Sequence, residues 1–317
     1  MHRYGPHLFR TDNPAVIEYL SRFTGWIEGR YFVQAAVRGE LYPFPINRLT
    51  LEKFFRRRLD ADGARRLLDE VRDRTITEPA NSEELALSRV GRELYETFFL
   101  GYTLKQWERH PRELDPSVIG RIPVRYDEDC RYVTQKFQQM PAAGFTAMFR
   151  RMLDHPRIEL RLGTDYSEIR GAVVPARATV YTGPVDEYFG FSLGRLPWRS
   201  LEFQFDTFDR EYAQPSAVIN YPTDHDYTRT VEFKHLTGQR SPRTVVSREY
   251  PRREGEPFYP VPAPESRALY ARYLELAENE RRTRGVHFAG RLARYTYINT
   301  DQAVEMALAL FEEIRPR

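Results

Sequence analysis

The stretch Val286-His287-Phe288-Ala289-Gly290-Arg291 leads into a predicted helix from Asp301 to Ile314. A second stretch of similar character is Ala178-Thr179-Val180-Tyr181-Thr182-Gly183-Pro184. A short strand, then small residues, then a helix is the order typical of a dinucleotide-binding fold. These stretches therefore predict part of a dinucleotide-binding domain in an α/β protein.

The chain between these stretches has the pattern of a different sheet. Leu201–Phe205, Ala217–Tyr221 and Arg229–Phe233 either alternate in polarity or are rich in β-branched and aromatic residues. Such segments favour strands. They predict one mainly antiparallel sheet, and beyond Arg121 strands are expected to dominate.

The amino-terminal third carries helix and turn signals. Asn13-Pro14 predicts a capped helix with proline in its first turn. Arg38-Gly39-Glu40 predicts the turn of a β-hairpin because apolar runs flank it. From Thr50 to about Lys105 the apolar spacing is helical, and Asn81 and Glu84 have the spacing of a capping box.

These patterns predict interleaved domains. Residues 1–49 form part of the cofactor-binding and sheet region, 50–120 form a helical insert, and 121–285 form the antiparallel sheet domain. The strand near 178–184 returns to the cofactor-binding domain, and 286–317 complete it with a strand and a helix. The fold class is thus mixed α/β, with a partial Rossmann-like domain.

Composition excludes several classes of function. The net charge of +3 over 317 residues gives no global field for nucleic acid or anionic membranes. No apolar run is long enough to span a bilayer. Cys130 is the single cysteine, so no intrachain disulfide or cysteine-based metal site is expected, and the seven histidines show no ligand spacing. The expectation is a cytoplasmic protein without a metal.

Several ordered strings resemble the UDP-galactopyranose mutase family over essentially the whole chain. They are His2-Arg3-Tyr4-Gly5-Pro6-His7, Gly101-Tyr102-Thr103-Leu104-Lys105-Gln106-Trp107, Arg121-Ile122-Pro123-Val124-Arg125, Tyr181-Thr182-Gly183-Pro184, Tyr227-Thr228-Arg229, Glu256-Pro257-Phe258-Tyr259-Pro260-Val261 and Phe288-Ala289-Gly290-Arg291-Leu292-Ala293. The resemblance implies an isomerase that interconverts UDP-galactopyranose and UDP-galactofuranose. It also implies reduced FAD as a covalent catalyst.

The resemblance assigns the diphosphate to arginines and tyrosines. Arg121 and Arg229 match the family's two diphosphate clamps, and a guanidinium suits a leaving diphosphate because it can donate two hydrogen bonds. Tyr132, Tyr259 and Tyr297 fall where the family places tyrosines around the substrate, although the surroundings of Tyr132 depart from the common pattern.

Aromatic residues on one helix resemble the site for the base and the sugar. Phe98 and Tyr102 correspond to the uracil site, and Trp107 is expected near the sugar and the diphosphate. Phe98 and Tyr102 are also four residues apart, which is the spacing of ordinary helical core packing. For Phe98 both interpretations stay open.

The resemblance implies a further group of residues for the flavin. His7 matches the histidine that approaches the flavin ring, and Gly290 with Arg291 resembles the turn near the flavin and its pyrophosphate. Asn299 stands where some relatives have an acidic residue, which leaves its role open.

The strand, G-x-G-x-x-G turn and helix with which family members open do not occur in the 317 residues. One explanation is that Met1 is an internal methionine and that a βαβ segment of about fifty residues lies upstream. The other is a diverged relative that handles a nucleotide sugar without flavin. Under the first explanation, this chain lacks the amino-terminal part of the FAD site.

Alternative functions follow from the same residues. The diphosphate clamp does not read the base, so a dTDP- or GDP-hexose is an alternative substrate to UDP-galactose. An inactive nucleotide-sugar binding protein is the third alternative. The resemblance further suggests a homodimer, and the helical segment Thr50–Lys105 is a candidate contact surface. The stretch Asp127–Pro141 is polar and has no clear periodicity, so a substrate lid is expected there.

Overall fold

The computed structural model describes residues 2–315. Within them the strands are β1 (Phe9–Thr11), β2 (Trp26–Glu28), β3 (Val33–Val37), β4 (Glu40–Phe44), β5 (Phe137–Pro141), β6 (Thr179–Tyr181), β7 (Trp198–Phe208), β8 (Val218–Asn220), β9 (Arg229–Glu232), β10 (Thr244–Arg252), β11 (Tyr259–Pro260) and β12 (Val286–Phe288). The helices are α1 (Pro14–Ser21), α2 (Arg48–Phe55), α3 (Ala61–Val71), α4 (Ser82–Tyr95), α5 (Gly101–Trp107), α6 (Ser117–Gly120), α7 (Phe145–Leu153), α8 (Tyr166–Ile169), α9 (Val185–Tyr188), α10 (Lys234–Thr237), α11 (Pro264–Arg284), α12 (Gly290–Ala293) and α13 (Thr300–Ile314).

The described residues divide into two compact units, each built from three stretches of chain. The first unit contains the residues up to Leu8, then Gly29–Gln135 and Arg199–Ala263. The second unit contains Phe9–Glu28, Lys136–Trp198 and the residues from Pro264 onward. Both units are therefore discontinuous in sequence, and the predicted domain bounds stay a prediction.

The first unit is built on a mixed sheet with the strand order β11-β7-β10-β9-β8-β3-β4 among the described residues. The registered pairs are antiparallel except β3 with β8, so the sheet is mainly antiparallel, as predicted. Arg38 and Gly39 both have positive φ between β3 and β4, which is the geometry of a tight hairpin turn. The predicted hairpin is confirmed.

Helices α2–α4 and the π-helical turn Glu96–Leu100 share a core with this sheet. The core joins sheet residues such as Val33 and Val231 to helix residues such as Leu51, Leu68 and Leu94, each at most 2% exposed. Asn81 caps α4, since its side chain accepts a hydrogen bond from Glu84 N at 2.9 Å. The sheet and its helical cover therefore form one hydrophobic core.

The second unit contains two smaller sheets. One has the order β1-β5-β2, and the other pairs β6 with β12 in parallel. Both segments predicted to belong to a dinucleotide-binding sheet, 178–184 and 286–291, thus supply adjacent parallel strands. Asn13 caps α1 as expected, accepting from Ala15 N at 3.0 Å.

Two expectations were wrong in part. The predicted sheet domain 121–285 ends in the 21-residue helix α11, which charged residues dominate and whose buried residues are only Ser266, Tyr273 and Ala277. Leu269 and Leu276, which are partly buried, join Tyr273 in one core, so the helix packs along a stripe that the prediction overlooked. The lid predicted over Asp127–Pro141 is too long, because its last five residues form β5, the central strand of a sheet.

Gly91 permits the close approach of α4 to the last residue of α3. It has φ 76° within α4, and a Cβ atom added there would lie 2.2 Å from the carbonyl oxygen of Val71. A side chain at this position would therefore suffer both backbone strain and a collision with main-chain atoms. The close approach matters for function because α4 runs on through a π-helical turn into α5.

We expect Gly91→Ala to lower the free energy of unfolding by about 3 kcal/mol, measured by urea denaturation. Gly39→Ala is the matched control, since Gly39 also has positive φ but no atom within 4 Å of an added Cβ. It should cost only about 1 kcal/mol. Equal losses for the two variants would contradict the collision.

Candidate functional site

Arg229 lies at the start of β9, directly opposite Glu249 on β10. Directly opposite residues in an antiparallel pair project from the same face of the sheet, so their side chains meet. Arg229 Nε donates to Glu249 Oε2 at 2.6 Å, with the arginine side chain 20% exposed and that of Glu249 1% exposed. The sheet register therefore creates a buried ion pair.

The electrostatics of this pair keep Arg229 charged. Burial opposes the charge, but Glu249, Tyr102 and Tyr259 outweigh burial and raise the pKa of Arg229. Burial raises the pKa of Glu249 above its usual value, and Arg229 opposes that rise. Glu249 Oε1 is buried and accepts no hydrogen bond from residues 2–315. The pair thus contains a guanidinium that Glu249 holds in place and a buried acceptor, Glu249 Oε1, that no described residue uses.

Three of the predicted tyrosines lie around this arginine. Burial raises the pKa of Tyr102 well above its usual value, Arg229 lowers it, and Tyr132 and Tyr259 add to the rise. Tyr102 therefore interacts electrostatically with Arg229, Tyr132 and Tyr259. A phenol with a raised pKa stays protonated near neutral pH, so Tyr102 remains a hydrogen-bond donor.

Trp107 and Arg121 belong to a neighbouring cluster in the same unit. Trp107, at the end of α5, is 6% exposed, and its ring meets that of Tyr259 edge-on with centroids 6.2 Å apart. It packs with Val118 of α6. Arg121 follows α6, is exposed, and donates from Nε to the Val118 carbonyl at 3.3 Å. Tyr259 therefore contacts Trp107 and also influences the pKa of Arg229.

Phe98 has a packing role that the structure makes plain. It lies in the π-helical turn Glu96–Leu100, is 2% exposed, and contacts the rings of Tyr42, Phe44 and Phe54. This agrees with the core-packing interpretation. Its predicted contact with a base stays a prediction.

His7 is exposed in the first unit and is held by neighbours in sequence. Its backbone N–H donates to His2 Nδ1 at 3.2 Å, and its Nε2 lies 3.1 Å from the Tyr4 carbonyl oxygen. Burial and the charge of His7 lower the pKa of His2 to about 4. His2 is therefore neutral near pH 7 and can accept the hydrogen bond that orients His7.

Four predicted residues lie in the second unit. Gly290 has φ 87° and starts α12, and an added Cβ would meet nothing closer than Thr182 at 4.0 Å. Arg291 donates through Nη2 to the Ile298 carbonyl at 2.5 Å, and its Cζ lies 4.7 Å from the ring centroid of Tyr297. Asn299 caps α13.

Asn299 also has a side-chain partner on β1. Arg10 Nη2 on β1 donates to Asn299 Oδ1 at 3.2 Å, while the Asn299 backbone N–H donates to Gln302 Oε1 at 2.9 Å. The side-chain oxygen of Asn299 is an adequate acceptor for a guanidinium. Hydrogen bonds of the Arg291 and Asn299 side chains thus stabilise both ends of the segment 291–299.

Glu249 was missed by sequence reasoning. A signal was available, because Ser247, Glu249 and Pro251 alternate as the buried face of β10. A carboxylate on the buried face of a strand requires a cationic partner. Choosing Arg229 as that partner required the strand register, which the sequence did not supply.

The described residues contain no group of three or more histidine, cysteine, aspartate or glutamate side chains placed to hold a metal ion. In the same residues no helix combines the length and apolarity that crossing a bilayer demands.

The architecture defines the class of protein first. The fold matches the crystal structure described as "reduced UDP-galactopyranose mutase" with a TM-score of 0.69 at 16% identity, covering 96% of this chain and 84% of that one. The chain is thus a mixed α/β protein with the fold of that enzyme, and this likeness concerns the fold alone.

Sequence comparison then gives the family. The family model described as UDP-galactopyranose mutase matches residues 97–297. The chain is 38% identical to a "Probable UDP-galactopyranose mutase" of Klebsiella pneumoniae, covering 99% of this chain and 81% of the relative. It is 33% identical to a "dTDP-fucopyranose mutase" of Escherichia coli, covering 97% and 83%. The chain belongs to the UDP-galactopyranose mutase family and is therefore an isomerase.

Proposed function

We propose that this chain interconverts UDP-galactopyranose and UDP-galactofuranose, and that the first unit binds the diphosphate through Arg229. The observation that carries the proposal is the buried Arg229–Glu249 pair with Tyr102, Tyr132 and Tyr259 beside it. A guanidinium that a carboxylate already holds loses little further side-chain entropy when it binds an anion.

The geometry suits a diphosphate that gains charge as it leaves. Glu249 engages Arg229 through Nε, so the terminal nitrogens of the guanidinium are the donors suited to two phosphate oxygens. The neighbouring tyrosine hydroxyls can donate to further oxygens. Charge developing on the leaving group is thereby met by fixed donors in a partly buried site. Arg121, which donates to the Val118 carbonyl, is proposed as the second clamp.

The ring contraction itself requires a nucleophile at the anomeric carbon, and we propose reduced FAD for this role. Part of what such a cofactor needs is present in the second unit: parallel strands β6 and β12, followed by Gly290 with positive φ and open space beside it. Gly290, Arg291 and Asn299 would contact the cofactor on this side. When bound, reduced FAD supplies the nucleophilic nitrogen, and the reaction causes no net redox change.

The tasks of the chain's own residues are binding and orientation. Tyr297 is held over Arg291 and is proposed to contact the substrate, and His7, oriented by neutral His2, is proposed to contact the flavin ring. A homodimer and a cytoplasmic location belong to the same proposal and rest on the family resemblance.

The proposed arginine clamp contacts the diphosphate, so it cannot distinguish one nucleotide base from another. The relative described as a dTDP-fucopyranose mutase makes dTDP-fucopyranose the second candidate substrate. Purified chain with FAD and a chemical reductant should convert UDP-galactopyranose to its furanose isomer. The kcat/KM for this compound should be higher than that for dTDP-fucopyranose, measured by chromatography of the nucleotide sugars. Preference for dTDP-fucopyranose would make that compound the substrate, and conversion of neither compound by chain that has bound reduced FAD would contradict mutase activity.

A further inference from the structure

Lys105, one of four lysines in the chain, projects from α5 into the loop that joins β8 to β9. Its Nζ donates to the backbone carbonyls of Tyr221, Asp224, His225 and Tyr227, the last two at 3.1 and 3.2 Å. An ammonium group has three donors, so these four carbonyl oxygens share them and replace much of its hydration. The loop is therefore folded around one cation.

This cation stays charged near neutral pH. Burial lowers the pKa of Lys105 to about 8, and Asp224 and Asp226 oppose that lowering. Carbonyl dipoles that converge on one point repel one another when the charge is removed. Loss of the ammonium group should therefore open the loop.

Gly101 gives the same helix a second anchor on this loop. A Cβ atom at Gly101 would lie 2.3 Å from the Pro222 carbonyl oxygen, so only glycine permits this approach. Gly101 and Lys105 are four residues apart and lie on one face of α5. The helix thus holds the loop at two points one turn apart.

The loop and the helix each carry a member of the Arg229 cluster. Arg229 is the first residue after the loop. Thr228, the last residue of the loop, is fully buried, and its N–H donates to the Glu249 carbonyl at 2.9 Å. Tyr102 follows Gly101 on α5. A displacement of the loop against α5 is therefore expected to shift Arg229 relative to Tyr102.

We propose that Lys105 is a positioning residue for diphosphate binding: by gathering the carbonyls of residues 221–227 it fixes Arg229 relative to Tyr102. The inference rests on the proposed function, in which Arg229 and Tyr102 meet the diphosphate. Lys105 itself needs no contact with the ligand.

The test combines UDP affinity with local hydrogen exchange in the full chain. Lys105→Met should raise the Kd for UDP about tenfold in the otherwise wild-type chain. In a chain that already carries Arg229→Met, the same substitution should change the Kd less than twofold, because Lys105 acts on UDP binding through Arg229. Equal factors in both backgrounds, or no change in either, would overturn the proposal.

Hydrogen exchange separates this proposal from the proposed function. Amides of residues 221–228 should exchange at least about tenfold faster in Lys105→Met, while those of β7 and β10 keep their rates. Unchanged exchange in the loop would overturn the role of Lys105 whatever the ligand, and absence of UDP binding by every variant would overturn the proposed function alone.

Two further variants control for general damage. Lys53→Met removes a lysine of the same unit whose Nζ donates to a single carbonyl, that of Leu41 at 2.8 Å, and it should leave the UDP affinity within twofold. Gly101→Ala disturbs the other anchor and should raise the Kd and loosen the same loop. If Lys105→Met fails to fold, Gly101→Ala carries the test, and unchanged affinity and loop exchange in that variant would overturn the proposal.

Discussion

Replacing Arg229 with lysine is expected to reduce turnover of the nucleotide sugar by about 10²–10³-fold, measured as kcat/KM. Lysine keeps a positive charge for Glu249, so the fold should survive. It cannot, however, hold the carboxylate and two phosphate oxygens at once, because an ammonium is a point charge rather than a planar fork. The loss should therefore reflect diphosphate binding and not folding.

Arg248→Lys is the matched control for this variant. Arg248 lies on β10 beside Glu249 and pairs with Asp206 of β7, with both side chains more than a third exposed. Turnover should stay within twofold of the wild type. An Arg229→Lys enzyme with unchanged kcat/KM would show that the diphosphate is bound elsewhere.

Replacing Glu249 with alanine is expected to lower the free energy of unfolding by about 4 kcal/mol. The change leaves the Arg229 guanidinium partly buried without its carboxylate, and breaking such a pair on one side is far more costly than removing both partners. Chemical denaturation followed by circular dichroism measures the loss. The variant should also bind UDP more weakly, since the arginine is no longer held.

Two comparisons sharpen this prediction. Glu202→Ala removes an exposed ion pair with Arg252 on the same sheet and should cost less than about 1 kcal/mol. The double variant Glu249→Ala, Arg229→Met should be more stable than Glu249→Ala alone. If it is less stable, the pair is not the origin of the loss.

Local signals in the sequence predicted local structure well. The hairpin turn at Arg38-Gly39 and the cap at Asn13 depend on residues only a few positions apart, and the structure confirms both. The parallel pair β6–β12 follows from two strand patterns of the same type. Arg229, Tyr102 and Tyr259 were identified from resemblance, and both tyrosines contribute to the raised pKa of Arg229, while their roles at the substrate stay a prediction.

Features that depend on long-range register were not predictable. Glu249 meets Arg229 only because β9 and β10 pair with one particular offset. Lys105 lies more than one hundred residues from the carbonyls that it binds, and no sequence pattern marks backbone acceptors. The helix α11 was not predicted, although Leu269, Tyr273 and Leu276 have helical spacing and pack into one core.

The central claim is that the cluster around Arg229 binds a diphosphate, and titration calorimetry of the wild-type chain with UDP and with UMP tests it most directly. A charge-assisted bond to the second phosphate predicts that UDP binds at least about tenfold tighter than UMP, and that Arg229→Met removes this difference. Equal affinities of the wild-type chain for UDP and UMP would contradict the account.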